Sequence, residues 1–131
     1  MRSIDAPRDR PAPRQFRGLS LSGELVQGEF VVPTLVMAVK DDCLGCRNLL
    51  EAPVDAFGDV ATLIVSARPS TEPWWASSLH LVVVSELLLQ ELDVRWPPFY
   101  VLIDPARAAV VTEGVVFGPE QVREEIAAYL M

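Results

Sequence analysis

The sequence predicts an α/β fold in which a mixed central β-sheet is flanked by helices. Short apolar runs rich in β-branched residues, at 34–39, 60–66 and 99–103, are typical of buried strands. Helical patterns that begin at a capping residue or a proline lie at 85–92 and 119–130. Strands and helices that alternate in this way pack as layers around one sheet. A chain of 131 residues is long enough for one such domain.

The first 18 residues differ in composition from the rest of the chain. They contain five arginines against two aspartates, together with Pro7, Pro11 and Pro13. A run rich in proline and arginine that lacks apolar periodicity is typical of solvated chain. We therefore predict a disordered basic leader at 1–18 and a single domain at 19–131. The start of that domain, 19–30, is predicted to be irregular or to contain one short strand.

Charge and hydropathy exclude two classes of partner. The net charge is -7 although the leader is basic, so the body of the protein is acidic. An acidic body does not match the phosphate backbone of a nucleic acid. The longest apolar runs are too short to cross a bilayer, and the N-terminus lacks the apolar core of a secretory signal. We expect a cytoplasmic protein with no nucleic-acid partner and no membrane partner.

The elements can be assigned in order from the strand at 34–39. Asp42 is predicted to cap a helix that runs from Cys43 toward Leu50, before Pro53 disturbs it. The later predicted elements are a strand at 60–66, a connection at 69–78 with a helical turn around Trp74 and Trp75, a strand at 81–84, a helix at 85–92 capped by Ser85, a strand at 99–103, a strand or bent hairpin arm at 109–117 around Gly114, and a helix that begins at Pro119.

Cys43 and Cys46 are the only two cysteines, and they lie where the strand at 34–39 leads into the first helix. Two thiols three residues apart at such a turn can close a small disulfide and open it again. This placement indicates a redox-active pair rather than a structural staple.

A second segment strengthens the redox interpretation. Trp96, Pro97 and Pro98 lie directly before the strand at 99–103. The order of strand, CxxC, helix, strand, helix, proline, strand pair and helix resembles the thioredoxin-like superfamily over about 30–131. The extra strand and helix at 79–93 resemble its TlpA and peroxiredoxin-like branch.

The resemblance implies a thiol–disulfide oxidoreductase. Cys43 at the first helical position is the exposed nucleophile, where free N–H groups and the helix dipole favour a thiolate, and Cys46 is the buried resolving cysteine. Trp96, Pro97 and Pro98 form the substrate-binding loop, in which Pro98 is the cis residue and Pro97 is the alternative. The implied partner is a disulfide-containing protein or a small thiol, the electron donor is unknown, and no cofactor is expected.

Three residues depart from the family pattern. Asp42 replaces the aromatic residue that usually precedes the first cysteine, and Met37 stands where thioredoxin has a buried acid for proton transfer. Pro97 has no N–H to donate to a substrate backbone. These departures favour an alternative function, a thioredoxin-fold binding or scaffold module without catalytic turnover, and they leave the proton-transfer partner of Cys46 unidentified. The proline pair also has a plain interpretation as a rigid strand entry.

Zinc binding and peroxide reduction fit the residues less well than disulfide exchange does. A structural zinc site needs four ligands, and the chain has two thiols, carboxylates such as Asp42, and His80, which is more typical of a half-buried structural residue. Peroxide reduction would require a threonine near Cys43, and none is present. Trp74, Trp75 and Trp96 either line a substrate groove or fill the core.

Overall fold

The computed structural model describes residues 10–130 and contains one eight-stranded sheet with four helices. The strands are β1 (Arg10–Pro11), β2 (Gln15–Leu19), β3 (Leu25–Glu29), β4 (Thr34–Val39), β5 (Ala61–Ser66), β6 (Val82–Val84), β7 (Phe99–Asp104) and β8 (Ala109–Val115). The helices are α1 (Leu44–Glu51), α2 (Pro73–Ala76), α3 (Glu86–Glu91) and α4 (Pro119–Ala127).

The sheet is mixed, as the sequence predicts. Its strand order is β1-β8-β7-β4-β5-β6-β2-β3. β4, β5 and β6 are parallel to one another, and β7 runs antiparallel to β4. The carboxyl ends of β4 and β5 and the amino end of β7 therefore meet at one edge of the sheet, which is the edge where the cysteine motif begins.

The central strand β4 is buried on both faces, and each face belongs to a different core. Leu35, Met37 and Val39 pack with α1 and α4 on one face. Val36 and Ala38 pack with α3 on the other face. Burial on both sides explains why this strand is a continuous apolar run rather than an alternating one.

The predicted disordered leader is wrong for residues 10–18, which contain β1 and most of β2. β1 pairs with β8, and β2 pairs with both β3 and β6. Long-range side-chain bonds hold these strands: Arg10 forms an ion pair with Glu113, and Ser85 Oγ donates to the carbonyl of Arg17. Residues 1–9 lie outside the described part of the chain. The segment predicted to be irregular or to contain one short strand, 19–30, contains the short strand β3 and the end of β2.

Two further predicted elements are present in the structure. The last strand is one continuous strand, β8, whose register with β7 is irregular between Leu102 and Ile103. The helical turn predicted around Trp74 and Trp75 is α2. Among the helices of residues 10–130, none has both the length and the apolar character that crossing a bilayer requires.

Candidate redox site

The turn that leads from β4 into α1 differs from the prediction by one residue. Asp42 has a φ of 54°, in the left-handed region, whereas an N-cap residue has an extended backbone. Cys43 meets that requirement with a φ of -135° and is the N-cap of α1. Its Sγ accepts a hydrogen bond of 3.1 Å from the N–H of Cys46. The predicted cap at Asp42 is therefore wrong, and a cysteine sulfur occupies the capping position.

Cys43 and Cys46 form a disulfide, with their Cα atoms 5.2 Å apart. The two cysteines differ in exposure, because Cys43 is half-buried at the helix end and Cys46 is only 1% exposed. The N–H of Lys40 donates to Cys46 Sγ over 3.4 Å. Within residues 10–130, this main-chain N–H is the one hydrogen-bond donor to Cys46 Sγ.

The proline segment lies against the cysteine motif. The peptide bond between Pro97 and Pro98 is cis. A Cβ built on Gly45 would lie 3.2 Å from Pro98 Cγ, and the carbonyl of Pro98 accepts a 3.1 Å hydrogen bond from the N–H of Val116. The loop before β7 and the segment after β8 therefore meet the start of α1 around Pro98.

The contact between Gly45 and Pro98 predicts the effect of a larger residue. We expect Gly45→Val to slow disulfide exchange by about 10-fold, because a branched side chain displaces α1 from the proline loop by a fraction of an ångström or more. Gly45→Ala should have a smaller effect, since its single methyl group needs only a small shift. The measurement is the exchange rate of the unmodified protein and both variants with a model disulfide, at a temperature where all three are folded. Equal rates for both variants and the unmodified protein would contradict it.

Apolar packing surrounds Met37, which stands where thioredoxin has a buried acid. Met37 is fully buried in β4 and belongs to the same core as Cys46. Its register partner Tyr100 donates a 2.6 Å hydrogen bond to Glu125, and burial, together with that carboxylate, raises the pKa of the Tyr100 phenol. The hydrogen bond to Cys46 Sγ comes from the main-chain N–H of Lys40 and not from a carboxylic acid.

The cation nearest in sequence to the motif is held by other groups. The guanidinium of Arg47 lies 4.3 Å from the centre of the Trp74 ring and bonds to Glu51 over 3.2 Å. Trp75 is 1% exposed and donates to Glu72, so it fills the core. Trp96 is 76% exposed beside the proline pair. The stacking of Arg47 on Trp74 had no signal in the sequence, because the two residues are 27 positions apart.

His80 and Ser78 hold the carboxyl end of α1. His80 Nε2 lies 3.0 Å from the carbonyl of Ala52, and its Nδ1 lies 2.8 Å from Thr62 Oγ1. Because a carbonyl only accepts, Nε2 carries the proton and the Thr62 hydroxyl donates to Nδ1. Ser78 Oγ donates to the carbonyl of Leu50. Both ring nitrogens are therefore used structurally, and among the described residues no group of three or more His, Cys, Asp or Glu is placed to hold a metal ion.

Burial lowers the pKa of His80, against the opposing effect of its hydrogen bond to Ala52. In the unfolded chain His80 takes up a proton near pH 6.5, whereas in the folded protein its lowered pKa opposes protonation. The contribution of His80 to stability is therefore present above about pH 6.5 and is lost as the pH falls through the lowered folded pKa. Between about pH 7.5 and about pH 5.5 we expect a loss of up to about 1 kcal/mol in the free energy of unfolding. Urea unfolding at the two pH values should show a larger loss of stability for the unmodified protein than for His80→Gln. Identical pH dependences would contradict it.

Comparison with known proteins identifies the fold through solved structures. No protein-family model and no curated protein sequence matches the chain. Solved structures do match. The thioredoxin domain of a thiol-disulfide oxidoreductase from Bacteroides vulgatus has a TM-score of 0.68 at 19% identity, with 96% of this chain and 99% of that chain covered.

Two further solved structures are similar to this chain. A secreted Mycobacterium tuberculosis disulfide oxidoreductase homologous to E. coli DsbE has a TM-score of 0.66 at 15% identity, with 86% of this chain and 95% of that chain covered. A putative thiol:disulfide interchange protein DsbE from Chlorobium tepidum has a TM-score of 0.66 at 20% identity, with 95% and 98% covered. With the CxxC pair at the end of the central strand, these similarities confirm that the chain has a thioredoxin-like fold.

Proposed function

We propose that this protein is a thiol–disulfide oxidoreductase that cycles between the Cys43–Cys46 disulfide and the dithiol. The observation that supports this function most strongly is the asymmetric pair at the start of α1, with one sulfur at the helix cap and one in the core. Of the similar structures, one is named as a thiol-disulfide oxidoreductase and one as a disulfide oxidoreductase.

In this proposal Cys43 is the nucleophile. Its sulfur lies at a helix N-terminus, where the N–H of Cys46 already points at it and the helix dipole favours negative charge. The Cys43 thiolate attacks one sulfur of a partner disulfide, forms a mixed disulfide and releases the other partner sulfur, which takes up a proton. The half-buried position of Cys43 allows this approach.

Cys46 is the resolving residue. Its thiolate attacks Cys43 Sγ, closes the Cys43–Cys46 disulfide and releases the second partner thiol, so that two electrons pass to the partner. Burial of Cys46 protects it from direct attack by the partner. The reverse sequence, with a thiol donor, restores the dithiol.

The partner in this proposal is a protein disulfide. Leu44, Trp96 and Phe117 are 76%, 76% and 85% exposed and lie within two residues of the contacts around Pro98. Large exposed apolar side chains grouped at one site are typical of surfaces that bind other proteins. Trp96, Pro97 and Pro98 form the substrate-binding loop. Because Pro97 lacks an N–H, apolar contact rather than strand-like pairing supplies most of the affinity.

The compartment determines the direction of exchange. The cytoplasmic location expected from the sequence stays a prediction, and one structural neighbour is described as secreted. In the cytosol the pair would be kept reduced, and the protein would act as a reductant that an unidentified thiol donor recharges.

Insulin reduction tests this function. With dithiothreitol as the donor, the protein should precipitate insulin chains faster than dithiothreitol alone, and the double variant Cys43→Ser/Cys46→Ser should give only the dithiothreitol rate. If the unmodified protein does not accelerate the reaction with any protein disulfide, the proposal fails. The departures at Met37 and Pro97 would then favour a binding or scaffold module, whose partner binding survives both substitutions.

A further inference from the structure

A cavity of about 510 Å³ lies where β4 and β5 end, and residues of α3 form part of its lining. Its lining includes the buried residues Val39 and Leu89 and the half-buried Pro97. It lies at the carboxyl ends of the parallel strands β4 and β5, the place where open α/β sheets usually bind ligands. Its volume is in the range of small-molecule sites.

The cavity adjoins the redox chemistry on two sides. Lys40 lines it, and the N–H of the same residue donates to Cys46 Sγ. Pro97 lines it, and the next residue, Pro98, contacts the cysteine motif. A ligand that fills the cavity would therefore contact Lys40, whose N–H bonds to Cys46 Sγ, and Pro97, the neighbour of Pro98.

The rim of the cavity has charges of both signs that do not pair with each other. Within residues 10–130, Lys40 and Arg68 have no carboxylate within ion-pairing distance, and Asp41 and Glu86 have no cation partner, although all four line the cavity. Arg95 adds a third cation, which bonds at 3.4 Å to Asp93. A ligand with both ammonium and carboxylate groups can pair with the cations and the carboxylates of this rim. A purely anionic ligand would be repelled by the rim carboxylates, and a purely cationic ligand by the rim cations.

We infer that this cavity binds a small zwitterionic peptide thiol or disulfide, which exchanges electrons with Cys43 and Cys46. The inference rests on the proposed function and names a second redox partner for the same pair. In the oxidising direction the Cys43 thiolate attacks one sulfur of the bound disulfide and releases the first peptide thiolate. The Cys46 thiolate then closes the Cys43–Cys46 disulfide and releases the second thiolate, and each leaving thiolate takes up one proton.

Four small disulfides test the charge requirement. Oxidised glutathione is zwitterionic, dithiodiglycolate is anionic, cystamine is cationic and hydroxyethyl disulfide is neutral. The rate at which each oxidises the reduced protein is measured by stopped flow, and the neutral disulfide serves as the reference for intrinsic reactivity. We expect oxidised glutathione to exceed this reference after correction for the reactivity of its sulfur toward a free thiol.

Charge reversal on each side of the rim gives the decisive comparison. Arg68→Glu and Glu86→Lys should each lower the rate with oxidised glutathione by about fivefold relative to the neutral disulfide. For dithiodiglycolate the two variants should act in opposite directions. Arg14→Glu, a matched reversal at an exposed arginine at the other end of the sheet, should change neither rate. If Glu86→Lys instead raises the rate with oxidised glutathione, only net charge matters and the inference is wrong.

A non-redox readout separates the inference from the proposed function. S-methylglutathione has no free thiol, and its binding to the oxidised protein should shift the amide resonances of Lys40, Arg68 and Glu86. Binding without exchange with any disulfide would refute the proposed function and leave the ligand class supported. Exchange with all four disulfides, without these shifts and without the effects of charge reversal, would refute the inference alone.

Discussion

Cys43→Ser is expected to abolish disulfide exchange, whereas Cys46→Ser is expected to stop the reaction at a mixed disulfide. The difference follows from the geometry, since Cys43 caps α1 at the surface and Cys46 is buried beneath it. Without Cys43 no accessible sulfur attacks the partner. Without Cys46 the first attack still occurs, but nothing resolves the product.

Mass spectrometry after incubation with a disulfide-containing peptide distinguishes the two variants. Cys46→Ser should gain the mass of one peptide arm, and Cys43→Ser should remain unmodified. Turnover of insulin should fall to the rate of the dithiothreitol control in both. If Cys43→Ser forms the adduct and Cys46→Ser does not, the roles of the two cysteines are reversed.

Gly18→Ala is expected to destabilise the fold by about 3 kcal/mol, or to prevent folding. A Cβ at this position would lie 2.6 Å from Val83 Cγ1 and 2.9 Å from Ser85 Cβ, and closer still to the carbonyl oxygen of Val84. Two of these neighbours are main chain or the first side-chain atom, so they cannot rotate away. The whole β2 strand would have to move from β6.

Gly118→Ala is the matched control, because no atom lies within 4 Å of its built Cβ and its backbone is extended. It should cost less than about 1 kcal/mol, chiefly through the weaker capping of α4 by alanine. Urea unfolding followed by circular dichroism measures both variants. Equal free energies of unfolding for the two would contradict the close approach of β2 to β6.

The elements that the sequence predicts best are those with local signals. The run at 34–39 corresponds to β4 without error, and Ser85 caps α3 by accepting from the N–H of Leu88. Pro119 is the first residue of α4, as the sequence predicts. In each case propensity, capping or burial on both faces agrees with the tertiary structure.

The features that the sequence did not predict depend on contacts between distant residues. β1 and β2 join the sheet through partners such as Glu113 and Ser85, and the arginine-rich composition around them indicated solvated chain instead. The N-cap at Cys43 follows from the left-handed backbone at Asp42. The cavity with unpaired charges collects residues from four separate segments, and no periodicity indicates such a grouping.

The most direct test of the central claim is a redox titration of the Cys43–Cys46 pair. The protein is equilibrated with glutathione buffers of graded potential, trapped with an alkylating agent and weighed by mass spectrometry. A redox-active pair gives one reversible two-electron transition between the disulfide and the dithiol, reached from both the oxidised and the reduced side. A disulfide that never forms, or that once reduced does not close again in an oxidising buffer, would contradict the proposed function.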